Sequence, residues 1–254
     1  MKLLMFLSIL FVGTNVHANG TREDSKEEIK IDGVDNIELI TSSGDIEVIT
    51  ERRNNILVEL VSYKNGPKLF IDRGRSLKIE VKKKAFPLIS FSRRGRVKLT
   101  VTIPEQYRET LVVKSSSGDV YLEKMELDDL EVNLSSGDLT VKEITANEGS
   151  FKTSSGDQEL EDLTIENLDL YLSSGSLSLI GDIDNINARL SSGSADVKLE
   201  ELTGDMDFRL SSGDFLMEFI DEDVKWVKLK ELDNYDFYPN EKIKLIHAFS
   251  KTDK

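Results

Sequence analysis

The stretch Leu130-Glu131-Val132-Asn133-Leu134-Ser135-Ser136-Gly137-Asp138-Leu139-Thr140-Val141 carries an apolar residue at every second position on both sides of a Ser-Ser-Gly-Asp break. Period-2 alternation marks half-buried strands, and the break between them marks a corner. The same phase returns along the chain. Counted from the glycine, positions −7, −5 and −3 hold Leu168, Leu170 and Leu172 before Gly175, and Ile186, Ala188 and Leu190 before Gly193. Before Gly213 they hold Met206, Phe208 and Leu210. Positions +2 and +4 hold Val120 and Leu122, Leu177 and Leu179, Ala195 and Val197, Phe215 and Met217. The corner glycines are Gly118, Gly137, Gly156, Gly175, Gly193 and Gly213, spaced 18 to 20 residues apart, with an earlier copy at Gly44. Self-similarity at a fixed period of about twenty residues is the signature of a repeat architecture.

Each unit therefore reads as strand, corner, strand and return loop. Two strands per unit fit either a hairpin or one coil of a solenoid. Hairpins favour Asn-Gly or Asp-Gly loops, and they gain nothing from identical residues at identical phase. In a solenoid, equivalent positions stack about 4.8 Å apart, so leucine lies over leucine inside and serine over serine at the corner. The expected fold is thus all-β, a parallel β-solenoid (β-helix) with coils of about 19 residues, favoured over an antiparallel sandwich. Glycine at the corner points to a positive φ. The following Asp can accept backbone N–H groups in the turn, and the stacked serines can hydrogen-bond along the ladder. Departures are mild: Ser176 and Ser194 replace the Asp, and Gly149, Phe151 and Thr153 precede Gly156.

The region before Gly118 has the same character with less regularity. Ile37, Leu39 and Thr41 lead into Gly44, and Ile46 and Val48 follow. Ile56-Val58-Leu60, Leu77-Ile79-Val81 and Val97-Leu99-Val101-Ile103 give further alternating strands, the last ended by Pro104, which cannot donate to a ladder. Residues 82–96 break the pattern as a basic loop. After about residue 220 the repeat is lost, and Trp226, Phe237, Tyr238 and the stretch Ile243 to Phe249 are expected to cover the open end. The layout expected is a signal peptide at 1–18, a lead-in at 19–36, the solenoid at 37–220 and a cap at 221–254.

Lys2, the apolar run Leu3 to Val12 and the small residues of Val16-His17-Ala18 form a signal-peptide pattern, with the mature chain starting at Asn19. The run is too short to span a bilayer. The chain has no cysteine, which removes disulfides, thiolate metal sites and a lipid anchor on cysteine. Export without disulfides suits a bacterial envelope: periplasm, outer surface or extracellular space. The net charge is −14, unevenly spread. Residues 64–98 hold twelve Lys/Arg against two acids, whereas residues 99–254 hold fifteen against thirty-four.

Taken together, these segments resemble the bacterial envelope family of β-strand repeats named "putative adhesin", otherwise a domain of unknown function. The residues that carry the likeness are Ile37-Glu38-Leu39 with Ser42-Ser43-Gly44-Asp45-Ile46-Glu47-Val48, then Leu99-Thr100-Val101-Thr102-Ile103-Pro104, then the iterated Ser-Ser-Gly-Asp coils, over roughly residues 30–220. The resemblance implies a parallel β-solenoid at or outside the cell envelope, and no catalytic residues.

Three chemical readings compete with a plain binding surface. Asp45, Asp119, Asp138, Asp157 and Asp214 recur at one corner, and calcium accepts such oxygens. Calcium-binding rolls, however, use a nine-residue repeat with paired glycines, so turn-capping aspartates are the preferred reading and no metal or cofactor is assigned. Parallel β-helices also host polysaccharide-degrading enzymes with paired carboxylates. The lone exported histidine, His247, sits outside the repeat and reads as a packed terminal residue, so no catalytic residue is assigned. Finally, Arg73, Arg75, Lys78, Lys82, Lys83, Lys84, Arg93, Arg94, Arg96 and Lys98 surround the apolar residues Phe86, Pro87, Leu88, Ile89 and Phe91. This mixture suits an anionic surface; the alternative is a solvated loop neutralised by the acidic body. The expectation is a noncatalytic binding or adhesion protein whose ligand is a glycan, lipid head group or envelope protein; the alternatives are an envelope-associated scaffold or stress-response factor held at an anionic membrane through residues 73–98, and a carbohydrate-active β-helix enzyme. Nucleic acid is excluded as a partner by the overall acidity.

Overall fold

The structure is a computed structural model that describes residues 18–19, 22–83, 95–200, 204–219 and 245–249. All regular structure among them is strand. In chain order the strands are β1 (Ala18–Asn19), β2 (Arg22–Lys30), β3 (Asn36–Thr41), β4 (Asp45–Glu51), β5 (Asn55–Tyr63), β6 (Lys68–Asp72), β7 (Ser76–Lys82), β8 (Lys98–Pro104) and β9 (Thr110–Ser115). They continue as β10 (Val120–Leu134), β11 (Leu139–Thr153), β12 (Gln158–Leu172), β13 (Gly175–Leu190), β14 (Gly193–Leu199), β15 (Met206–Leu210), β16 (Gly213–Phe219) and β17 (Leu245–Phe249).

The regular part is a parallel β-solenoid. β10 pairs with β11 and β11 with β12, each residue facing the one nineteen positions on: Leu130 over Gly149 over Leu168, and Val132 over Phe151 over Leu170. Within β10 the buried residues are Val120 and Leu122, then Met125 and Leu127, then Leu130, Val132 and Leu134. Two bends separate these three groups. Lys124 turns the first with a φ of 59°, as Glu143 and Asp162 do in the next coils with φ of 54° each. Exposed Asp128 and Asp129 make the second. The return loop expected from sequence is therefore a third inward-facing segment, and Ile144, Ala146, Leu163 and Ile165 continue it.

The coil of 18 residues shows how the period is set. Leu160 pairs with Leu179 and Leu163 with Gly181, so Glu161 and the left-handed Asp162 face Ile180 alone. One bend residue is missing, and the chain cuts the corner. A Cβ on Gly181 would fall on the backbone of Leu163, which is why only glycine fits. The coil of 20 residues takes its extra length between Leu199 and Met206.

The first coils are threaded out of order, unlike the simple succession expected. Ile37 pairs with Leu111, and Ile46 with Val120, although each pair lies 74 residues apart. The intervening chain leaves the stack after β4. It runs back as β5, antiparallel to both β2 and β8, and returns as β7 and β8, which pair in parallel with β3 and β4 on their other side. Ile56-Val58-Leu60 is thus a strand, as expected, but an antiparallel one. The lead-in is also a strand, β2, joined at its start to β1. β6 adds to β7 in antiparallel fashion. Antiparallel additions blunt the open end of a stack, which would otherwise offer unpaired backbone groups to another chain. At the opposite end β17 pairs antiparallel with β16. Met1 to His17, Trp226, Phe237 and Tyr238 lie outside the described residues.

Inside, the stacked apolar residues form one continuous core from Ile29 to Met217. Each fully buried Leu, Ile or Val contributes about 1.5–3 kcal/mol. Phe151 is completely buried, and the space beside Gly149, in the same coil, is taken by Ile165 and Leu168. Two polar pairs interrupt the core: Thr41 and Ser115 share a hydrogen bond of 3.1 Å, and Gln158 donates to Thr153 Oγ1 at 2.9 Å.

Candidate functional site

The corner column is the most regular surface feature. Gly44, Gly118, Gly137, Gly156, Gly175, Gly193 and Gly213 all have φ between 113° and 131°. Each also lies against its neighbour in the stack: a Cβ on Gly137 would collide with the carbonyl of Gly118, and one on Gly156 with that of Gly137. Backbone amides of the serines carry the ladder, Ser135 to the Ser115 carbonyl at 3.0 Å and Ser154 to the Leu134 carbonyl at 3.1 Å. Ser135, Ser136, Ser154 and Ser155 are exposed, their positions turned outward by the bend. The serine hydroxyl stack expected from sequence occurs instead one step later, where Ser194 donates to Ser176 at 3.3 Å.

The aspartates have a structural task. Asp45 Oδ1 accepts the backbone N–H of Asp119 at 3.3 Å, Asp119 that of Asp138 at 3.0 Å, and Asp138 that of Asp157 at 2.9 Å. Asp157 accepts from Ser176 at 2.7 Å. A carboxylate bonded to an amide is a charge-assisted contact, and it offsets the repulsion between stacked like charges. Among the described residues no three acidic or histidine side chains converge as a metal centre requires.

The ends of the basic segment have a defined place. β7 and β8 stack on β3 and β4, so Val81 pairs with Thr41 and Lys98 with Asp45, on the two sides of the Ser42-Ser43-Gly44 corner. The Val97 carbonyl accepts from the Asp45 amide at 3.0 Å. The described cations turn to acids of the same molecule. Arg73 reaches Glu27 at 3.3 Å, Arg75 reaches Asp35 at 2.5 Å, and Lys78 reaches Glu38 at 3.9 Å. Lys82 pairs with Glu80 at 2.7 Å and lies 4.9 Å from the centre of the Phe70 ring. Arg96 meets Asp45 at 3.6 Å and Lys98 meets Glu47 at 2.9 Å. These pairs are exposed, each worth at most about 1 kcal/mol, yet they neutralise the charge locally. Lys83 is exposed. Lys84, Arg93, Arg94 and the apolar residues 86–91 lie outside the described residues.

Two described carboxylates have displaced titration. Glu23 and Glu161 are held below the ordinary carboxylate range because Lys68 and Lys142 donate to them; a general acid needs the opposite displacement. Lys114 is raised by its bond to Glu38 at 2.8 Å. Tyr107 is raised chiefly by burial. Two open grooves mark the faces on either side of the corner. One of about 680 Å³ is lined by Asp157, Glu159, Ser178, Asp196, Asp214 and Leu216. The other, of about 330 Å³, lies beside Asn187 and Arg189.

One outward column escaped the sequence reading, which tracked inward positions. Four residues before successive corner glycines stand Lys152, Tyr171, Arg189 and Arg209, paired in that order by the register of β11, β12, β13 and β15. The signal was the same count from the glycine, applied to even offsets.

A profile of the Toastrack DUF4097 family matches residues 34–233. No curated protein matches the chain. Among solved structures, a "putative adhesin" from Bacteroides fragilis is similar with 15% identity and a TM-score of 0.51, over 75% of this chain and 95% of that one. A "putative lipid binding protein" from Parabacteroides distasonis has 18% identity and a TM-score of 0.47, over 78% of this chain and 92% of that one. A "putative adhesin" from Parabacteroides merdae has 14% identity and a TM-score of 0.39, over 80% and 94%. At such identities the first shares the fold with this chain, and the other two add no argument. In-register coils, Ser-Ser-Gly-Asp corners and the profile match over most of the length agree: the chain belongs to the Toastrack DUF4097 family.

Proposed function

We propose that this chain is a noncatalytic, exported β-solenoid that acts as an adhesin or surface-binding protein of the bacterial envelope. The observation that supports this reading is the register. Because the coils from β10 onward repeat their neighbours' phase on both sides of each corner, outward positions there become columns, and the columns add up to extended polar faces. Stacked repeats of this kind create extended interaction surfaces without a pocket. Catalysis needs the reverse, convergent groups with titration matched to their task. The described carboxylates with displaced titration are lowered by lysine partners in solvent.

The test is binding and location together. The chain from Asn19 onward, fluorescently labelled, is expected to bind intact bacterial cells or isolated envelopes saturably. Protease applied to intact producing cells is expected to remove it. Failure to bind any envelope fraction would refute the reading. Turnover of a polysaccharide, abolished by substitution of a single acid, would replace it with an enzyme.

A further inference from the structure

Tyr171 is the one exposed large hydrophobic side chain among the described residues, 44% accessible. Its neighbours in the stack are Lys152 on one side and Arg189 then Arg209 on the other, all exposed. Stack spacing puts adjacent members about 4.8 Å apart and the whole row near 14 Å long. Arg209 forms a two-pronged pair with Asp207, at 3.2 and 3.0 Å. Lys152 and Arg189, by contrast, have no acid within ion-pair distance among the described residues, although most described cations of this acidic chain do. On the corner side the row is bordered by exposed Ser154, Ser191 and Ser211. On the other side lie Asp169 and Asn187, joined by a bond of 2.8 Å, and the groove of about 330 Å³ beside them.

We propose that this row is a binding track for a linear, carboxylated polysaccharide that runs along the solenoid axis. The proposal rests on the surface-binding reading above and names its ligand class and site. Each feature matches one requirement. The stack spacing is close to the rise of one sugar in an extended glycan, so successive sugars meet successive coils. The phenol ring is a large, rigid, amphipathic platform at low entropic cost, suited to the apolar face of a sugar ring. The flanking unpaired cations sit one coil away on each side, where carboxylates of the neighbouring sugars fall; arginine recognises a carboxylate through two parallel bonds. Exposed serine hydroxyls supply partners for sugar hydroxyls. A neutral glycan would leave Lys152 and Arg189 without counter-charge. A membrane would meet the acidic faces around the row as well as the row itself.

The test uses the chain from Asn19 and a hexamer of galacturonic acid, a linear uronate, in isothermal titration at low salt. Binding that weakens as salt rises is expected. Tyr171→Ala and the pair Lys152→Ala with Arg189→Ala should each reduce affinity about tenfold or more, as centrally placed contacts do. Lys198→Ala, which removes a cation on the face across the corner, should leave affinity unchanged. All these side chains are solvent-facing, and an unchanged thermal midpoint confirms that the variants fold. Three results overturn the proposal: no binding of the uronate, equal binding of a cellulose hexamer, or full affinity after the row substitutions. Row-dependent binding to phosphatidylglycerol vesicles without uronate binding would overturn it in favour of a lipid surface. If a variant combining Lys152→Ala, Tyr171→Ala and Arg189→Ala still binds cells like the parent, the track falls and the surface-binding reading stands; if neither the parent nor that variant binds cells, both fall.

Discussion

Replacing the corner glycine Gly137 with alanine tests the stacked register most directly. Two costs are legible. Its φ of 113° is a conformation that L side chains rarely adopt, with a strain of order 1–3 kcal/mol. The added methyl would also fall on the Gly118 carbonyl and lie 3.2 Å from Asp119 Oδ1. Backbone cannot rotate away as a side chain can, so the overpacking cost is about 1–3 kcal/mol more. Together the substitution should cost about 2–6 kcal/mol. Gly33 provides an internal control. Its φ is 75°, but nothing lies within 4 Å of the added Cβ, so Gly33→Ala should show strain alone, about 1–2 kcal/mol. Urea unfolding followed by circular dichroism gives both values, and amide exchange locates the damage in β10 and β11. Equal losses for the two variants would refute the reasoning, because they would mean that neighbouring corners do not touch.

The aspartate ladder predicts that Asp138→Ala costs about 1 kcal/mol through the lost bond to the Asp157 amide. Asp138→Asn, which keeps an acceptor oxygen, should cost less in the same urea titration. Phe151 is fully buried, and Phe151→Ala should cost about 3–5 kcal/mol and lower the thermal midpoint accordingly. Tyr107 links stability to alkaline pH. Burial raises its folded-state titration above the unfolded value of about 10, so its contribution is complete below pH 10 and is lost as pH rises beyond it. Tyr107→Phe should flatten that alkaline loss, at about 1 kcal/mol near neutrality for the missing 2.8 Å bond to the Thr110 carbonyl.

How far the fold could be read from the residues depended on which rule set each position. Phase around the glycines made the parallel stack legible, because Leu130, Val132 and Leu134 before Gly137 and Leu139 and Val141 after it obey one period. The third face did not share that period. Inward residues step by three, not two, from Leu122 to Met125 and from Leu127 to Leu130. Each bend consumes a residue, and the left-handed ones are Lys124, Glu143 and Asp162, of which only Asp162 is of a type enriched in that conformation. The out-of-order threading was hidden for a different reason. Alternation in Ile56-Val58-Leu60 identifies a strand but is silent on its partner, and antiparallel pairing to β8 arises from tertiary closure. Charge depends on the threading as well. Composition singled out residues 64–98 as the cationic region, yet most of its described cations face acids of β2, β3, β4 and β7, brought close by the same threading. Lys152 and Arg189, unremarkable in a sequence window rich in Asp and Glu, have no such partners among the described residues, and only the register brings them into line. In a solenoid, a surface site is a property of phase, not of local composition, and it appears only when offsets from the corner are read down the stack.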